Sequence, residues 1–332
     1  MDLSIIIPLY NEADSLPELK AWIDRALKDF SYEIIFVDDG STDGSWDEIS
    51  RLASLARNDR EEARNDKDGA RNSVRGIRFR RNYGKSAALY EGFAAAEGEI
   101  VVTMDADLQD SPEEIPEMVR MIREEGYDLV SGWKQHRKDN ALTKNLPSKL
   151  YNATARRVTG IKLHDMNCGL KAYRQEVVKN IEVYGEMHRY IPYLAKNAGF
   201  SKIGEKPVHH QKRKYGKSKF GVDRFVNGLL DLMSLWFLSR FGGKPMHFFG
   251  TSGILMFLVG FVMTIWIIVE KLILQGRGLH YRAVTDQPLF YLALVALVLG
   301  VILFLAGFIG EMVSRSATGR NSYQIKEILP RR

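Results

Sequence analysis

The chain has 332 residues, of which 45% are hydrophobic and 27% are charged, with 28 Gly and 10 Pro. This composition is typical of a globular protein and excludes a chain that is wholly disordered or fibrous. The one cysteine, Cys168, excludes a disulfide within the chain and a cysteine-rich zinc site. The formal net charge of +6 favours an anionic partner.

Short apolar stretches alternate with amphipathic ones over the first 200 residues. Strands are predicted at 3–9, 32–37, 74–79, 100–104 and 127–131, and helices at 15–30, 45–56, 85–97 and 112–125. The last helix begins after Ser111, an N-cap residue that is followed by Pro112. This alternation predicts an α/β fold with a mostly parallel sheet covered on both faces, in which ligands bind at the carboxyl ends of the strands.

The segment 56–75 departs from this pattern. It is dense in charges of both signs and has almost no large apolar residues. It is therefore predicted to be a solvated extension of the second helix or a mobile loop.

Two long stretches, 245–269 and 287–310, contain no Asp, Glu, Lys or Arg. A helix of about 20 apolar residues crosses the ~30 Å hydrocarbon core of a bilayer. Transmembrane helices are therefore predicted at about 246–269 and 288–310, and the alternative of two buried core helices is disfavoured by their length. The preceding apolar stretch, 225–241, is interrupted by charges and is predicted to lie in the membrane interface, with a third span as the alternative.

Lysine and arginine are concentrated outside the loop that joins the two predicted spans. Ten precede the first span between 201 and 244, five follow the second span, and three lie between the spans. The positive-inside rule then places both termini in the cytoplasm of an integral membrane protein. The predicted organisation is a cytoplasmic domain at 1–220, an interfacial region at 221–244, two spans within 245–311 and a basic tail at 312–332.

Acidic residues follow two of the predicted strands. Asp38 and Asp39 end the second, and Asp105-Ala106-Asp107 ends the fourth, followed by Leu108 and Gln109. Alternate residues of an extended chain point to the same side, so both carboxylates of the Asp-x-Asp group face one way. Carboxylates bind Mg²⁺ or Mn²⁺, and Mg²⁺ completes its shell with water and phosphate oxygens. The pattern predicts a metal–diphosphate site, although a helix cap is an alternative.

Four motifs in chain order, IIIPLYNE, FVDDGSTDGS, RNYGKSAAL and TMDADLQDSPEEI, together resemble those of a family 2 glycosyltransferase with the GT-A fold. HDMNCGLKAYR at 164–174 and HHQKRKYGKSKF at 209–220, followed by two spans, are similar to the branch that acts on polyprenyl phosphates. The resemblance implies transfer of a hexose from a nucleotide-diphosphate sugar, of the UDP-glucose or GDP-mannose type, to a polyprenyl monophosphate. The implied partners also include the lipid bilayer.

The resemblance also implies roles for particular residues. Donor-nucleotide binding falls to Pro8, Tyr10, Asn11, Glu12, Asp39, Lys85, Asp105 and Ala106. A divalent cation, Mg²⁺ or Mn²⁺, would be held by Asp105, Asp107 and Gln109, and the catalytic set is Asp105, Asp107 and Asp165, with Asp165 expected to orient the sugar or acceptor loops. Acceptor-phosphate binding falls to Arg137, Lys144, Ser148, Arg213 and Lys219. The alternative for these basic residues is a polybasic stretch attracted to anionic lipids.

The expected acceptor determines the expected mechanism. A phosphate monoester has a second pKa of about 6, so it is largely ionised at neutral pH and needs no base to remove a proton. The protein must instead hold two anions close together and neutralise the leaving diphosphate. A single in-line attack of this kind predicts inversion at the anomeric carbon.

Three other classes of protein are weighed against this one. A polysaccharide or glycolipid synthase of the same fold would be expected to carry Gln-x-x-Arg-Trp, and no Arg-Trp dipeptide occurs in the chain. A non-catalytic, membrane-bound nucleotide-binding subunit is disfavoured by the intact acidic motifs. Nucleic acid is not expected as a partner, because no base-stacking motif accompanies the basic residues. A homo-oligomer is compatible with the sequence.

Overall fold

A computed structural model describes residues 1–62, 72–135, 156, 159–185, 187–211, 214–215, 237, 245–279, 282–316 and 325–329. The chain divides into two compact units. The first comprises Met1–Leu232 and Arg320–Arg332, and the second comprises Met233–Gly319. We refer to them as the α/β unit and the helical hairpin.

The α/β unit is built on one eight-stranded sheet. The strands are β1 Leu3–Leu9, β2 Tyr32–Asp38, β3 Ser73–Phe79, β4 Ile100–Thr103, β5 Leu129–Trp133, β6 Lys171–Arg174, β7 Ile203–Pro207 and β8 Ile325–Leu329. Its helices are α1 Leu16–Ala26, α2 Ser45–Glu62, α3 Lys85–Ala95, α4 Ile115–Glu124, α5 Gln175–Lys179 and α6 Ile191–Asn197. The order is β7-β5-β6-β4-β1-β2-β3-β8, with β6 and β8 antiparallel to the rest. The predicted α/β fold with a mostly parallel sheet is confirmed.

The central strands are apolar on both faces because both faces are covered. In β1, Ile5 and Ile7 belong to one core cluster and Ile6 to the other. In β2, Phe36 and Val37 divide between the clusters in the same way. Near-continuous apolar runs of this kind are typical of buried parallel strands, and each such side chain contributes about 1.5–3 kcal/mol on burial.

The predicted elements differ from the observed ones mainly at their ends. The fifth strand was expected at 127–131 and is found two residues later, at Leu129–Trp133. Helix α2 continues to Glu62, so the charged segment begins as an extension of this helix, and 63–71 lies outside the described residues. Ser111 accepts a hydrogen bond from the Glu113 amide, which confirms the predicted cap, and a 3₁₀ turn precedes α4.

The order of the strands fixes where a ligand can bind. Strand β1 pairs in parallel with β2 on one side and with β4 on the other, so the chain direction across the sheet reverses at β1. A crevice opens at such a reversal outside the carboxyl ends of the strands. The residues that follow β1, β2 and β4 line this edge.

The helical hairpin consists of α7, Pro245–Gly276, and α8, Pro288–Ser316. Its apolar stretches, Met246–Gly276 and Pro288–Gly310, are long enough to cross a membrane by length and composition. The second matches the predicted 288–310, while the first continues seven residues beyond the predicted end. The helices approach closely at glycines: a methyl group on Gly300 would lie 2.7 Å from the Phe257 amide nitrogen and 2.8 Å from the Gly253 carbonyl oxygen.

After the hairpin the chain returns to the α/β unit. Strand β8 pairs antiparallel with β3, with Gly76 opposite Leu329. The sequence pattern indicated only a basic tail at 312–332, so this strand was not anticipated. The predicted interfacial region at 221–244 lies outside the described residues, apart from Phe237.

Candidate active site

The loops that follow β1 and β2 are joined by hydrogen bonds. The Asn11 amide donates to Ser41 Oγ at 2.9 Å, and Asn11 Oδ1 accepts from the Thr42 amide at 2.8 Å. The Glu12 amide donates to Ser45 Oγ at 3.0 Å. These bonds form a fixed frame at the predicted nucleotide end of the site.

Two residues in this region have strained backbones. Asn11, at φ 59°, and Leu108, at φ 60°, are the non-glycine residues with positive φ in the part of the chain that the structure describes. They lie after the neighbouring strands β1 and β4, on loops at the same edge of the sheet. Strain of about 1–3 kcal/mol per residue is concentrated at functional sites in proteins, which supports a site at this edge.

Asp39 is buried and organises the loop that leads to α3. Its Oδ1 accepts from the Tyr83 amide at 2.7 Å, and its Oδ2 accepts from the Gly84 amide at 2.9 Å. Burial raises the pKa of the Asp39 carboxyl, although these two hydrogen bonds act to lower it. The carboxylate therefore fixes the start of α3, and its predicted contact with the nucleotide stays a prediction.

Asp105 follows β4 and is surrounded by cations. Its carboxylate forms an ion pair with the ammonium of Lys85, the first residue of α3. Burial acts to raise the pKa of Asp105, but Lys85, Lys134 and Lys171 outweigh burial and hold the pKa below its usual range. Asp105 is therefore ionised at neutral pH. Gly169 leaves room for it, because a methyl group there would overlap the carboxylate.

The residues expected to hold a metal form an oxygen-rich donor set. Asp107 Oδ1 accepts from the Gln109 amide at 3.2 Å, which curls this loop around the carboxylate. Among the described residues there is no group of three or more His, Cys, Asp or Glu side chains that could hold a metal by themselves. Two carboxylates and a side-chain amide oxygen fit Mg²⁺ or Mn²⁺ only when phosphate and water oxygens complete the shell. The set therefore suits a metal that arrives with a diphosphate.

The described start of the basic loop, 209–211, lies against the loop that carries Asp107. The Gln211 amide donates to the Gln109 carbonyl oxygen at 2.9 Å, and Gln109 Nε2 donates to the Gln211 carbonyl oxygen at 3.4 Å. Asp110 and His210 form an antiparallel bridge beside them. The expected anion-binding loop and the expected metal loop are thus adjacent.

Lys134 was missed by the sequence analysis. It directly follows β5, and its Nζ lies 2.7 Å from Oδ1 of the fully buried Asp110. Burial acts to lower the pKa of Lys134, but Asp110 raises it above its usual value, so the ammonium is charged. Lys134 lies three residues after the predicted strand 127–131, which is a local signal for its place at this edge of the sheet but not for its contact with Asp110.

Asp165 has a different environment from the other predicted catalytic residues. It is buried, its Oδ1 accepts from the Asn167 amide at 3.0 Å, and its own amide donates to Glu205. The carboxylate closes a turn, and its expected role in orienting loops stays a prediction. Cys168 is also buried in the core, which raises the pKa of its thiol to about 12.

The topology brings ten of the predicted site residues to one edge of the sheet: Pro8, Tyr10, Asn11, Glu12, Asp39, Lys85, Asp105, Ala106, Asp107 and Gln109. The predicted acceptor-phosphate residues lie outside the described part of the chain: Arg137, Lys144, Ser148, Arg213 and Lys219.

Comparison with known proteins agrees with this geometry. Residues 4–182 match the model of glycosyl transferase family 2. The chain is 34% identical over 319 residues to a dodecaprenyl-phosphate galacturonate synthase of Rhizobium johnstonii, covering 95% of this chain and 88% of that protein. It is 33% identical over 332 residues to an undecaprenyl-phosphate 4-deoxy-4-formamido-L-arabinose transferase of Aeromonas hydrophila, covering 98% of this chain and 94% of that protein.

A solved structure is more distantly similar. Glucosyl-3-phosphoglycerate synthase from Mycobacterium tuberculosis, crystallised with Mn²⁺ and UDP-glucose, has a TM-score of 0.49 and 19% sequence identity, covering 72% of this chain and 78% of that one. Similarity at this level carries no argument about function.

The fold and its acidic edge define an α/β protein with a candidate ligand site at the carboxyl ends of its parallel strands. The family match over more than half of the chain makes the assignment specific: the chain belongs to glycosyl transferase family 2 and is a glycosyltransferase. The resemblance to the branch that includes polyprenyl-phosphate enzymes is confirmed by the relatives.

Proposed function

We propose that this enzyme transfers a sugar from a nucleoside-diphosphate sugar to a polyprenyl monophosphate, with inversion at the anomeric carbon. Both relatives named above are described as polyprenyl-phosphate sugar enzymes, and each similarity extends over nearly the whole chain. The observation that carries the proposal is the pair of hydrogen bonds between Gln211 and Gln109, which joins the start of the basic loop to the acidic donor loop.

Separate groups of residues act on the two anions, the donor diphosphate and the acceptor phosphate. The frame around Asn11 and Glu12 holds the nucleotide, and Lys85 and Lys134 supply positive charge for the departing diphosphate. Asp105, Asp107 and Gln109 would hold a divalent cation, which would supply Lewis-acid stabilisation of that diphosphate. The basic loop holds the acceptor phosphate, which attacks the anomeric carbon without a protein base because it is already ionised.

The donor sugar is proposed at the level of its class. The sequence favoured a hexose of the UDP-glucose or GDP-mannose type. The relatives' names extend the class to a galacturonate and a formamido-arabinose, so the donor panel must include charged and amino-derived sugars.

The hairpin is proposed to anchor the enzyme in the cytoplasmic membrane, with both termini on the cytoplasmic side. Strands β1 and β8 belong to one sheet, although they lie at opposite ends of the chain and the hairpin intervenes between them. A hairpin that crosses the membrane twice leaves the chain segments before and after it on the same side of the membrane, as one shared sheet requires. The excess of Lys and Arg on both sides of the hairpin favours the cytoplasm.

The proposal is tested with the full chain purified in detergent, a short polyprenyl phosphate, Mg²⁺ or Mn²⁺ and a panel of nucleotide sugars. We expect one donor class to give a lipid-linked sugar phosphate. Nuclear magnetic resonance of the product then gives its anomeric configuration. An inverted linkage supports the in-line attack, and a retained linkage contradicts it.

A further inference from the structure

The first turn of α3 carries Lys85 and has no side-chain cap from its N-cap residue. Its N-cap is Gly84, which has no side chain to accept a hydrogen bond from the first turn. Asp39 fixes the residues just before the helix through the Tyr83 and Gly84 amides. Asp39 thus holds the chain before Lys85, and Ser86 holds it directly after Lys85.

Ser86 is buried and makes a two-point contact with His188. The His188 amide donates to Ser86 Oγ at 3.0 Å, and Ser86 Oγ lies 3.1 Å from His188 Nδ1. The hydroxyl has one hydrogen and two lone pairs, so it can accept from the amide and also hydrogen-bond with Nδ1, as donor or acceptor according to the ring tautomer. A neutral ring makes this contact in either tautomer.

The surroundings of His188 favour the same neutral ring. Burial lowers its pKa well below the usual value, and the neighbouring cations Lys85, Arg189 and Lys171 lower it further, while Asp105 opposes them. The two-point contact with Ser86 is therefore made by an uncharged ring.

We propose that His188 is a positioning residue for the transfer reaction: through Ser86 it fixes the first turn of α3 and holds the Lys85 ammonium where it meets the donor diphosphate. This inference rests on the proposed function for the role of Lys85. Lys85 remains one-third exposed beside Asp105, so an incoming diphosphate can reach it. No motif in the sequence analysis included His188, because it lies about 100 residues from α3 along the chain.

The test compares His188→Leu, which removes the ring nitrogen that contacts Ser86, with His188→Asn, whose side-chain amide can replace Nδ1 as donor or acceptor. We expect His188→Leu to weaken binding of UDP or GDP with Mn²⁺ about tenfold and to lower kcat by a similar factor, while His188→Asn stays within about twofold of the wild type. Ser86→Ala should reproduce the effect of His188→Leu. Thermal unfolding of each variant checks that the fold is intact.

A background without the Lys85 ammonium separates positioning from a general structural role. In Lys85→Met protein, His188→Leu should change nucleoside-diphosphate affinity no further, because the group that it positions is absent. A further loss in that background, or wild-type affinity in His188→Leu alone, overturns the inference. Calorimetry of nucleotide binding needs no acceptor, so the inference can fail or hold independently of transfer to the lipid, whose absence in the wild type would refute only the proposed function.

Discussion

Glycine serves different purposes in the two units of this enzyme. In the α/β unit, the absence of a side chain at Gly169 leaves space for the Asp105 carboxylate, a group in the candidate site. In the helical hairpin, the same absence at Gly253, Gly260 and Gly300 leaves space for the backbone of the opposite helix. One unit uses small residues to admit a functional group, and the other uses them to bring two helices together.

The difference reflects the force that stabilises each unit. The α/β unit buries large aliphatic side chains on both faces of its sheet, so the hydrophobic effect stabilises it. The hairpin exposes most of its large side chains, including Leu255 and Trp266, and buries small residues such as Ala293. In the proposed membrane location, the helices are surrounded by lipid and gain no hydrophobic energy from one another, so close van der Waals packing would supply their association.

The largest effect is expected at the acidic edge of the α/β unit. Asp107→Asn removes one negative charge from the proposed metal site while preserving the shape of the side chain. Transfer should fall about a thousandfold, and the melting temperature should stay close to that of the wild type. Glu124→Gln, on the exposed face of α4, is the matched control and should leave the initial rate unchanged. Turnover retained by Asp107→Asn would refute the metal assignment.

A smaller effect is expected when the space beside Asp105 is filled. Gly169→Ala should displace the carboxylate and lower kcat about ten- to a hundredfold, with a higher metal concentration needed for half-maximal rate. Gly44→Ala provides the comparison, since nothing lies within 4 Å of a methyl group at that position. Equal rates in the two variants would show that the space at Gly169 has no functional role.

In the hairpin, a glycine-to-alanine substitution should change stability. Gly300→Ala forces the two helices apart and should destabilise the hairpin by about 1–3 kcal/mol, measured by unfolding in mixed detergent micelles. Gly276→Ala adds the same methyl group where nothing lies within 4 Å, so it should cost nothing. The hairpin would not depend on close backbone packing if both variants unfolded alike.

The smallest effect is expected where Glu114, just before α4, contacts the end of β7 and the start of the basic loop. Glu114 pairs with Lys206 and accepts from His209. Burial acts to raise the pKa of Glu114, but these two partners lower it below the usual value. Because the folded-state pKa is the lower one, the stabilisation is fully present above the usual glutamate pKa and is lost as pH falls through the folded-state value.

Glu114→Gln should therefore lower the free energy of unfolding by about 1 kcal/mol at pH 7, and the difference should shrink at acidic pH. Urea unfolding of the α/β fold at several pH values measures it, with Glu176→Gln, at an exposed position of α5, as the control. A difference in the free energy of unfolding that grew as the pH fell would contradict this prediction.

The sheet could be predicted where its strands are rich in apolar residues, and not where charged residues flank a short strand. Strands β1 to β4 stand out as Ile- and Val-rich runs, whereas β6, Lys171–Arg174, has charged residues at both ends. Strand β8 follows the hairpin and has no partner nearby in sequence, so only the folded sheet reveals its pairing with β3.

In the candidate site, too, residues within local motifs could be predicted from the sequence. Asp105, Asp107 and Asp39 were predictable because they end strands in recognisable motifs. Lys134 and His188 depend on contacts between distant segments, with Asp110 and Ser86 respectively, and no local pattern encodes such contacts.

The proposed function depends on an acceptor that is an ionised lipid monophosphate. It is tested most directly by supplying the purified enzyme, its donor and a divalent metal with either polyprenyl phosphate or the matching polyprenol, and measuring nucleoside-diphosphate release and the lipid product. We expect a sugar-linked lipid and stoichiometric release of nucleoside diphosphate with polyprenyl phosphate, and neither with polyprenol. Equal product from the free alcohol, or release that does not depend on lipid phosphate, would contradict it.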